Sequence, residues 1–334
     1  MKLILEKKWD GVDLVFNGGD ENILVDYLGI TFVNKKTGEV EGRIVDFLGT
    51  TMGTISRNKK YLFLSNSKSL FRSYDIKERK MVAELDLSMN PSLTPFGIEE
   101  SIDGTSLYFI MAEDARAMLE GIQGKGKTEI HRFSFPELKE IEVIKKKDDY
   151  YDAAACSFLN GYLFVNTKGY IDFMDEKGTI TSHPNIAILD TTPVVNERRK
   201  EFYIPTEYGF RVFDKDFREI NKFDVISDDK KQVKSPMYYI MKDDIERALS
   251  SSGTEQMENA EEIERIKLID ENHLLLFISE VLGSYYRILI ADVRDGFLSE
   301  PLKCGFKILD VDVYDEKHVS FFARSATHLL EIVE

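Results

Sequence analysis

The sequence has few cysteines and histidines, and each shortage excludes a class of protein. Two cysteines in 334 residues, Cys156 and Cys304, are too few and too far apart for a disulfide framework. They are typical of buried apolar packing. The five histidines include no pair at a local zinc-ligand spacing such as His-x-His. We therefore expect no cofactor and no metal.

Basic residues and long apolar runs are also scarce. Lysine and arginine number 44 against 59 acidic residues, a net charge of −15, which disfavours binding to nucleic acid or to an anionic membrane. No run approaches the roughly 20 apolar residues that span a bilayer. The apolar stretch at the N-terminus is too short for a signal peptide. We expect a cytoplasmic, acidic protein.

What the chain does contain is ample material for a core. Hydrophobic residues make up 43% of the sequence and aromatic residues 11%, which argues against disorder. Composition is uniform along the 334 residues and no linker divides them. Closed repeat architectures commonly fold such a length as one unit, so we predict a single domain over residues 1–334.

A short apolar run after an Asn/Asp-led turn recurs seven times. The runs occupy residues 22–25, 61–64, 107–110, 162–165, 202–204, 274–277 and 319–322. Asn, Asp and Gly suit tight hairpin turns because they tolerate positive φ. Apolar runs without alternation are typical of strands covered on both faces. Each run therefore predicts the second strand of a repeating sheet.

The strands on either side of these runs complete a four-stranded unit. A third strand often closes on Asp or Asn, as at Tyr74-Asp75 and Phe213-Asp214, and a more polar outer strand follows. Inner strands predicted near residues 12, 50, 94, 150, 188, 262 and 306 give a spacing of about 38 to 44 where nothing is inserted, the period of propeller blades. The seventh unit lacks an outer strand, and Lys2 to Lys8 supplies one.

The fold class is thus predicted as all-β, a seven-bladed β-propeller closed by the N-terminal strand. Through the Asn/Asp turn, the apolar second strand and the aromatic-Asp end of the third, the chain resembles WD40 and quinoprotein-like propellers. The resemblance implies the architecture and no particular family. Trp9-Asp10 does not close a third strand, and one tryptophan cannot form the quinoprotein tryptophan motif.

Two insertions interrupt the repeat, at about residues 112–127 and 225–261. Both contain helix-forming stretches, so we predict short helices there. The first joins the second and third strands of blade 3, and the second joins blade 5 to blade 6. These two kinds of connection emerge on the same face of a four-stranded meander. Long connections on a rigid scaffold commonly carry function, so this face is the candidate.

Aromatic and charged residues in the connections of that face are the candidate ligand-binding residues. They are Tyr150, Tyr151, Asp152, Lys168, His183, Glu207, Tyr208, Tyr238, Tyr239 and Arg324. Tyrosine and arginine are enriched in binding hot spots. Ordinary polar loop composition is the simpler interpretation of any one of them. The carboxylates of Asp152 and Glu207 would be the pair to test for acid–base hydrolysis.

No catalytic motif stands out, and the glycine-rich segment 121–127 lacks the strand-before, helix-after order of a phosphate loop. We therefore predict a non-catalytic propeller that recognises a protein or peptide through the face with the insertions. The alternative is a propeller enzyme of the lactonase, hydrolase or lyase type with an axial carboxylate or metal site. An enzyme requires polar side chains from several blades to converge at the axis, whereas a binding module requires a wide, partly apolar face.

Overall fold

The structure is a computed structural model. It describes residues 1–45, 50–66, 70–87, 93–113, 128–145, 150–166, 170–184, 186, 192–206, 208–227, 261–280, 286–304, 307–323 and 325–333. Within these, only the backbone is described at 50–52, 93–97, 112–113, 128, 145, 150–152, 166 and 310.

Seven four-stranded antiparallel sheets form the blades of a β-propeller, which confirms the predicted architecture. We label the strands of each blade A to D from the axis outward. Blades 1 and 2 are built from β2 (Val12–Asn17), β3 (Glu21–Asp26), β4 (Gly29–Asn34), β5 (Val40–Ile44), β6 (Thr50–Ile55), β7 (Tyr61–Asn66), β8 (Leu70–Asp75) and β9 (Lys80–Asp86). Blades 3 and 4 are built from β10 (Leu93–Glu100), β11 (Ser106–Glu113), β12 (Thr128–Ser134), β13 (Glu140–Lys145), β14 (Tyr150–Cys156), β15 (Gly161–Asn166), β16 (Ile171–Asp175) and β17 (Ile180–His183).

The remaining blades follow the same order. Blades 5 and 6 are built from β18 (Val194–Asn196), β19 (Glu201–Pro205), β20 (Gly209–Asp214), β21 (Glu219–Asp224), β22 (Glu261–Leu268), β23 (His273–Glu280), β24 (Tyr286–Asp292) and β25 (Leu302–Cys304). Blade 7 is built from β26 (Asp310–Asp315), β27 (His318–Ala323), β28 (Ala326–Val333) and β1 (Lys2–Asp10). A single 3-10 turn, Ser157–Leu159, accompanies the strands in the described residues.

The N-terminal strand β1 closes the ring as the D strand of blade 7. It pairs antiparallel with β28 from Lys2 opposite Val333 to Asp10 opposite Ala326, so it is slightly longer than the predicted segment. At the closure, the backbone N–H of Gly11 donates to the carbonyl of Ser325 over 2.8 Å. Closure pairs the last sheet of the ring with the first segment of the chain, which explains why the seventh repeat lacks an outer strand of its own.

The core lies between the blades. Seven clusters of buried apolar side chains are found among the described residues, and each joins two neighbouring blades. The B strands β3 and β7 are buried along four consecutive residues each, because a neighbouring blade covers each face. The D strands are mostly exposed, as β9 and β21 show. The predicted distinction between covered B strands and half-exposed D strands is therefore confirmed.

The Asp and Asn residues that end the C strands hold the C–D turns. In five blades a side-chain oxygen of this residue accepts the backbone N–H two or three residues later. The five residues are Asn34, Asp75, Asp175, Asp214 and Asp292. The backbone N–H of Thr179 and, to a smaller extent, that of Lys177 lower the pKa of Asp175 below its usual value because they favour the charged carboxylate. The Asp and Asn residues that recur at the ends of the C strands in the sequence therefore stabilise turns.

Some boundaries differ from those predicted. Strand β18 begins at Val194 rather than near residue 188; Pro193, just before it, has no N–H to donate to a ladder. Ala112 belongs to β11 and Glu261 opens β22, so the connections are shorter at these ends than the predicted insertions. The predicted helices of both insertions lie outside the described residues.

Cys156 and Cys304 are both buried free thiols, as their isolation in the sequence predicts. Burial is the main cause that raises the pKa of each thiol, which leaves it protonated and packed as a small apolar group. Among the described residues, no helix has the length and apolarity to cross a membrane.

Candidate functional site

The face with the insertions is defined by strand topology. In each blade the chain enters strand A from this face, so the D–A and B–C connections open on it and the A–B and C–D turns lie on the other. The first insertion begins after Glu113 at the end of a B strand, and the second begins after Asp224 at the end of a D strand. Both connections therefore open on one face, called the insertion face below.

A β-bulge recurs in the A strands close to this face. The pairing of strands A and B slips by one residue at Asp13, Thr51, Phe96, Tyr151 and Glu264 in blades 1, 2, 3, 4 and 6. Each position lies four or five residues before the end of its A strand. A bulge redirects a strand and its side chains and is common next to functional sites. The bulges place five residues of five blades around the axial opening of the insertion face.

A recess of about 150 Å³ lies near the axis between blades 7 and 1. Asp13, Asp312, Lys267 and Thr327 are among its lining residues. The ammonium of Lys267 lies 2.7 Å from a carboxylate oxygen of Asp312. Burial is the main cause that raises the pKa of Asp13 above its usual value, and the carboxylate of Asp26 adds to it. The recess therefore holds one carboxylate neutralised by a lysine and one that is costly to ionise.

A larger groove of about 370 Å³ lies between blades 6 and 7. It is bounded by Glu264 and Arg265 of strand A, by Phe277 of strand B, and by Tyr286, which opens strand C. Residues 307–309, from the connection that leads into blade 7, also line it. The groove thus combines apolar surface with charges of both signs on the insertion face.

The aromatic wall of the groove is ordered by stacking. The rings of Phe277 and Tyr286 are nearly parallel, with an angle of 11° between their planes and 5.7 Å between their centroids. Phe277 is 8% exposed and anchors the pair in the cluster between blades 6 and 7, whereas Tyr286 is half-buried. Leu309, which also lines the groove, is 56% exposed. An ordered aromatic pair and an exposed leucine in one groove form a surface to which an apolar side chain can bind.

Charged residues beside the groove are held by buried partners. The guanidinium of Arg287 donates to the carboxylate of Glu261, which is 2% exposed at its side chain. The hydroxyl of Ser279 donates to the carboxylate of Glu264. Glu261 is the residue at which the second insertion rejoins the sheet. The ion pair therefore fixes the end of that insertion beside the groove.

A second apolar area is exposed on the insertion face of blade 1. Tyr27 and Leu28 form the B–C turn of this blade and are 65% and 53% exposed. Val45 directly follows the D strand and is 73% exposed. It lies next to that turn, since a Cβ added at Gly29 would be 3.3 Å from the Cα of Val45. Adjacent exposed apolar side chains of this kind are typical of interaction surfaces.

The structure describes only some of the predicted site residues. Tyr150, Tyr151 and Asp152 start the A strand of blade 4, where Tyr151 is the bulged residue, and only their backbone is described. The other five predicted residues fall outside the described part of the chain: Lys168, Glu207, Tyr238, Tyr239 and Arg324. The pairing of Asp152 with Glu207 stays a prediction for the same reason.

Two predicted residues have described side chains. Tyr208 packs against the cluster between blades 5 and 6, and its carbonyl accepts the N–H groups of Val225 and Ile226 at the start of the second insertion. The ring of His183, at the end of a D strand, stacks on Phe217 of blade 5 with 3.6 Å between centroids. Burial lowers the pKa of His183, so it is neutral at pH 7. The structure does not bring these two together with the axial recess.

The groove residues were not among the predicted ones. A signal for them exists, because Tyr286-Arg287 follows a B–C connection of the same face and has the composition of a binding hot spot. Glu264 and Arg265, in contrast, lie inside a strand in which polar and apolar residues alternate, a pattern typical of an ordinary half-exposed strand. In the part of the chain that the structure describes, no three His, Cys, Asp or Glu residues lie close enough to hold one metal ion.

Comparison with known proteins supports the fold. No protein-family model and no curated protein matches the sequence. Among solved structures, the crystal structure of the Myceliophteria thermophila Cps50 (Swd1) β-propeller domain matches with a TM-score of 0.68 and 11% sequence identity. The match covers 99% of this chain and 100% of that domain. At this identity the likeness shows a shared β-propeller fold, which by itself specifies no function.

Proposed function

We propose that this protein is a non-catalytic, cytoplasmic binding module that recognises a protein or peptide through the insertion face. The groove between blades 6 and 7 is the contact site proposed within this face. A propeller fold by itself does not specify a function, so the function depends on the residues of this face.

The observation that carries the proposal is the composition of the groove. The stacked pair of Phe277 and Tyr286 offers an aromatic surface, and the exposed Leu309 and the basic residues Arg265 and Lys307 line the same groove. Aromatic and arginine side chains dominate hot spots at protein interfaces, where they sit within a polar rim. A peptide with an apolar side chain next to an acidic one fits this arrangement.

The surroundings of the groove support recognition of an extended partner. The second insertion rejoins the sheet at Glu261 beside the groove, and the exposed apolar area of blade 1 lies on the same face. A partner that bound both would cover more than one blade, as stable protein interfaces require. The large acidic excess of the chain favours a protein partner over nucleic acid or an anionic membrane.

The test is a comparison of two tyrosine variants. Tyr286→Ser removes the groove wall, and Tyr170→Ser removes a tyrosine that is 37% exposed and stands just before the C strand of blade 4. We expect Tyr286→Ser and a deletion of residues 228–260 to lose the same bound proteins in quantitative affinity capture. Tyr170→Ser should retain them. Loss with Tyr170→Ser alone, or no loss with either groove change, would contradict the proposal.

A further inference from the structure

Four lysines gather on the opposite face, where the A–B and C–D turns lie. Lys35 and Lys36 are in the C–D turn of blade 1, and Lys59 and Lys60 are in the A–B turn of the adjacent blade 2. All four are exposed. They are called the lysine patch below.

Two of these lysines converge on one neutral acceptor. The Nζ atoms of Lys35 and Lys59 lie 2.6 Å and 3.5 Å from the side-chain oxygen of Asn17, so the two nitrogens are at most about 6 Å apart. The same oxygen also accepts the backbone N–H of Gly19. Two ammonium groups thus share an acceptor that carries no negative charge.

The position of Lys35 is set by blade 7. Its ammonium lies 5.0 Å from the ring centroid of Tyr314, and the amide of Asn17 donates to the carbonyl of Tyr314 and to the carboxylate of Asp315. Burial is the main cause that lowers the pKa of Lys35. The carboxylates of Asp315 and Asp20 oppose this shift, and the ammonium of Lys59 adds to it. Lys35 and Lys59 are therefore held close together, at a cost in repulsion between their like charges.

The neighbouring arginines form close ion pairs, whereas the described residues offer none to the lysines of the patch. Arg57 pairs with Glu99 and Glu100, and Arg79 pairs with Glu21 and Glu41. In the part of the chain that the structure describes, no carboxylate lies within 4 Å of an ammonium of the lysine patch. Among the described residues, the four lysines of these neighbouring turns therefore have no close ion-pair partner, although the chain contains 59 acidic residues.

We propose that the lysine patch is a second interaction site, which binds a short acidic peptide segment of a protein partner. A carboxylate can accept charge-assisted hydrogen bonds from Lys35 and Lys59 at once and relieve the repulsion between them. The site lies on the face away from the insertions, so it is independent of the proposed groove. With both sites the propeller would hold two partners on opposite faces.

The size of the patch favours a short peptide over a nucleic acid. Electrostatic attraction decays over a Debye length of about 8 Å at physiological ionic strength. A short acidic segment can stay within this range of the patch. A long polyanion would extend beyond it, over a protein of net charge −15, where repulsion opposes binding.

The experiment uses the full chain and a fluorescent oligoglutamate peptide, with binding measured by fluorescence anisotropy. The double variant Lys35→Glu/Lys59→Glu tests the patch. The control is Lys177→Glu/Lys215→Glu, which makes the same charge change at two exposed lysines in C–D turns of the same face, in blades 4 and 5. Where the test variant does not fold, Lys59→Glu alone serves, because Lys59 makes the longer contact with Asn17.

The proposal predicts binding that weakens with salt and falls about tenfold or more in the test variant, with little change in the control. An equal loss in both variants would mean general electrostatic attraction and would overturn it. Absence of binding to the wild-type chain would also overturn it, as would a labelled RNA oligonucleotide that binds more tightly through the same lysines. Capture of partners through Tyr286 should be unchanged in the test variant, which separates this proposal from the proposed function.

Discussion

Closure of the ring by β1 makes a sharp prediction about two leucines in that strand. Leu3 is 9% exposed and belongs to the apolar cluster between blades 6 and 7, whereas Leu5 is 57% exposed. Burial of a leucine side chain contributes about 1.5–3 kcal/mol. Truncation to alanine also leaves a cavity, and measured costs begin at about 2 kcal/mol. Because β1 is an edge strand and can relax, we expect Leu3→Ala to lower the free energy of unfolding by about 2 kcal/mol.

Leu5→Ala is the matched control, since it removes the same atoms from the same strand. Exposed substitutions usually change stability by no more than about 0.5 kcal/mol. The assay is equilibrium urea unfolding followed by circular dichroism and by tryptophan fluorescence. Trp9 is the only tryptophan and lies in β1 against the cluster between blades 7 and 1, so its fluorescence reports on the closure itself.

Two results would refute this reasoning. One is an equal cost for the two leucines, which would mean that the burial of Leu3 does not stabilise the ring. The other is a fluorescence transition of Trp9 that precedes the loss of β-structure in the wild-type chain, because β1 would then unfold independently of the blades.

Three further predictions concern buried or charged polar groups. Thr327→Val removes a buried hydrogen bond from the hydroxyl to the carbonyl of Val12 over 2.8 Å and should cost about 1–2 kcal/mol in urea unfolding; an unchanged midpoint would contradict it. Asp13→Asn should raise the unfolding midpoint at pH 7, because the pKa of Asp13 is raised in the folded state and its ionised carboxylate therefore destabilises the fold. The gain should vanish below pH of about 4, where the wild-type carboxyl is neutral too. Asp292→Asn should do the reverse: its hydrogen bond with Arg294 lowers the pKa of Asp292, so the variant should be less stable at pH 7, with a difference that disappears as pH falls below about 4. A difference independent of pH would contradict either carboxylate prediction.

Much of the fold could be predicted from the sequence because its signals are local. The run 61–64 of a B strand is apolar without alternation because neighbouring blades cover both its faces, and a pattern of four residues is enough to recognise it. The turn residues Asp75 and Asp214 hydrogen-bond to backbone close by in the chain. The need for β1 in blade 7 also follows from counting strands.

The candidate sites were less accessible to sequence reasoning. Glu264 stands out only because a bulge shifts its register, and the sequence around it reads as an ordinary strand. For His183 the sequence suggested a ligand contact because the residue precedes a D–A connection. In the structure its ring packs against Phe217 of the next blade. The contact depends on how two blades meet, which no local pattern records.

The sequence by itself determined the seven-fold repeat, the closure by the N-terminal strand and the face on which the insertions open. Each of these depends on hydrophobic periodicity and turn chemistry within some tens of residues. Only the tertiary structure decided which side chains meet. Lys35 and Lys59 share the oxygen of Asn17, and Arg287 reaches Glu261, because twisted blades bring together residues 18 to 42 positions apart. Such contacts depend on the packing angles between strands and blades, which the order of residues along one strand does not specify.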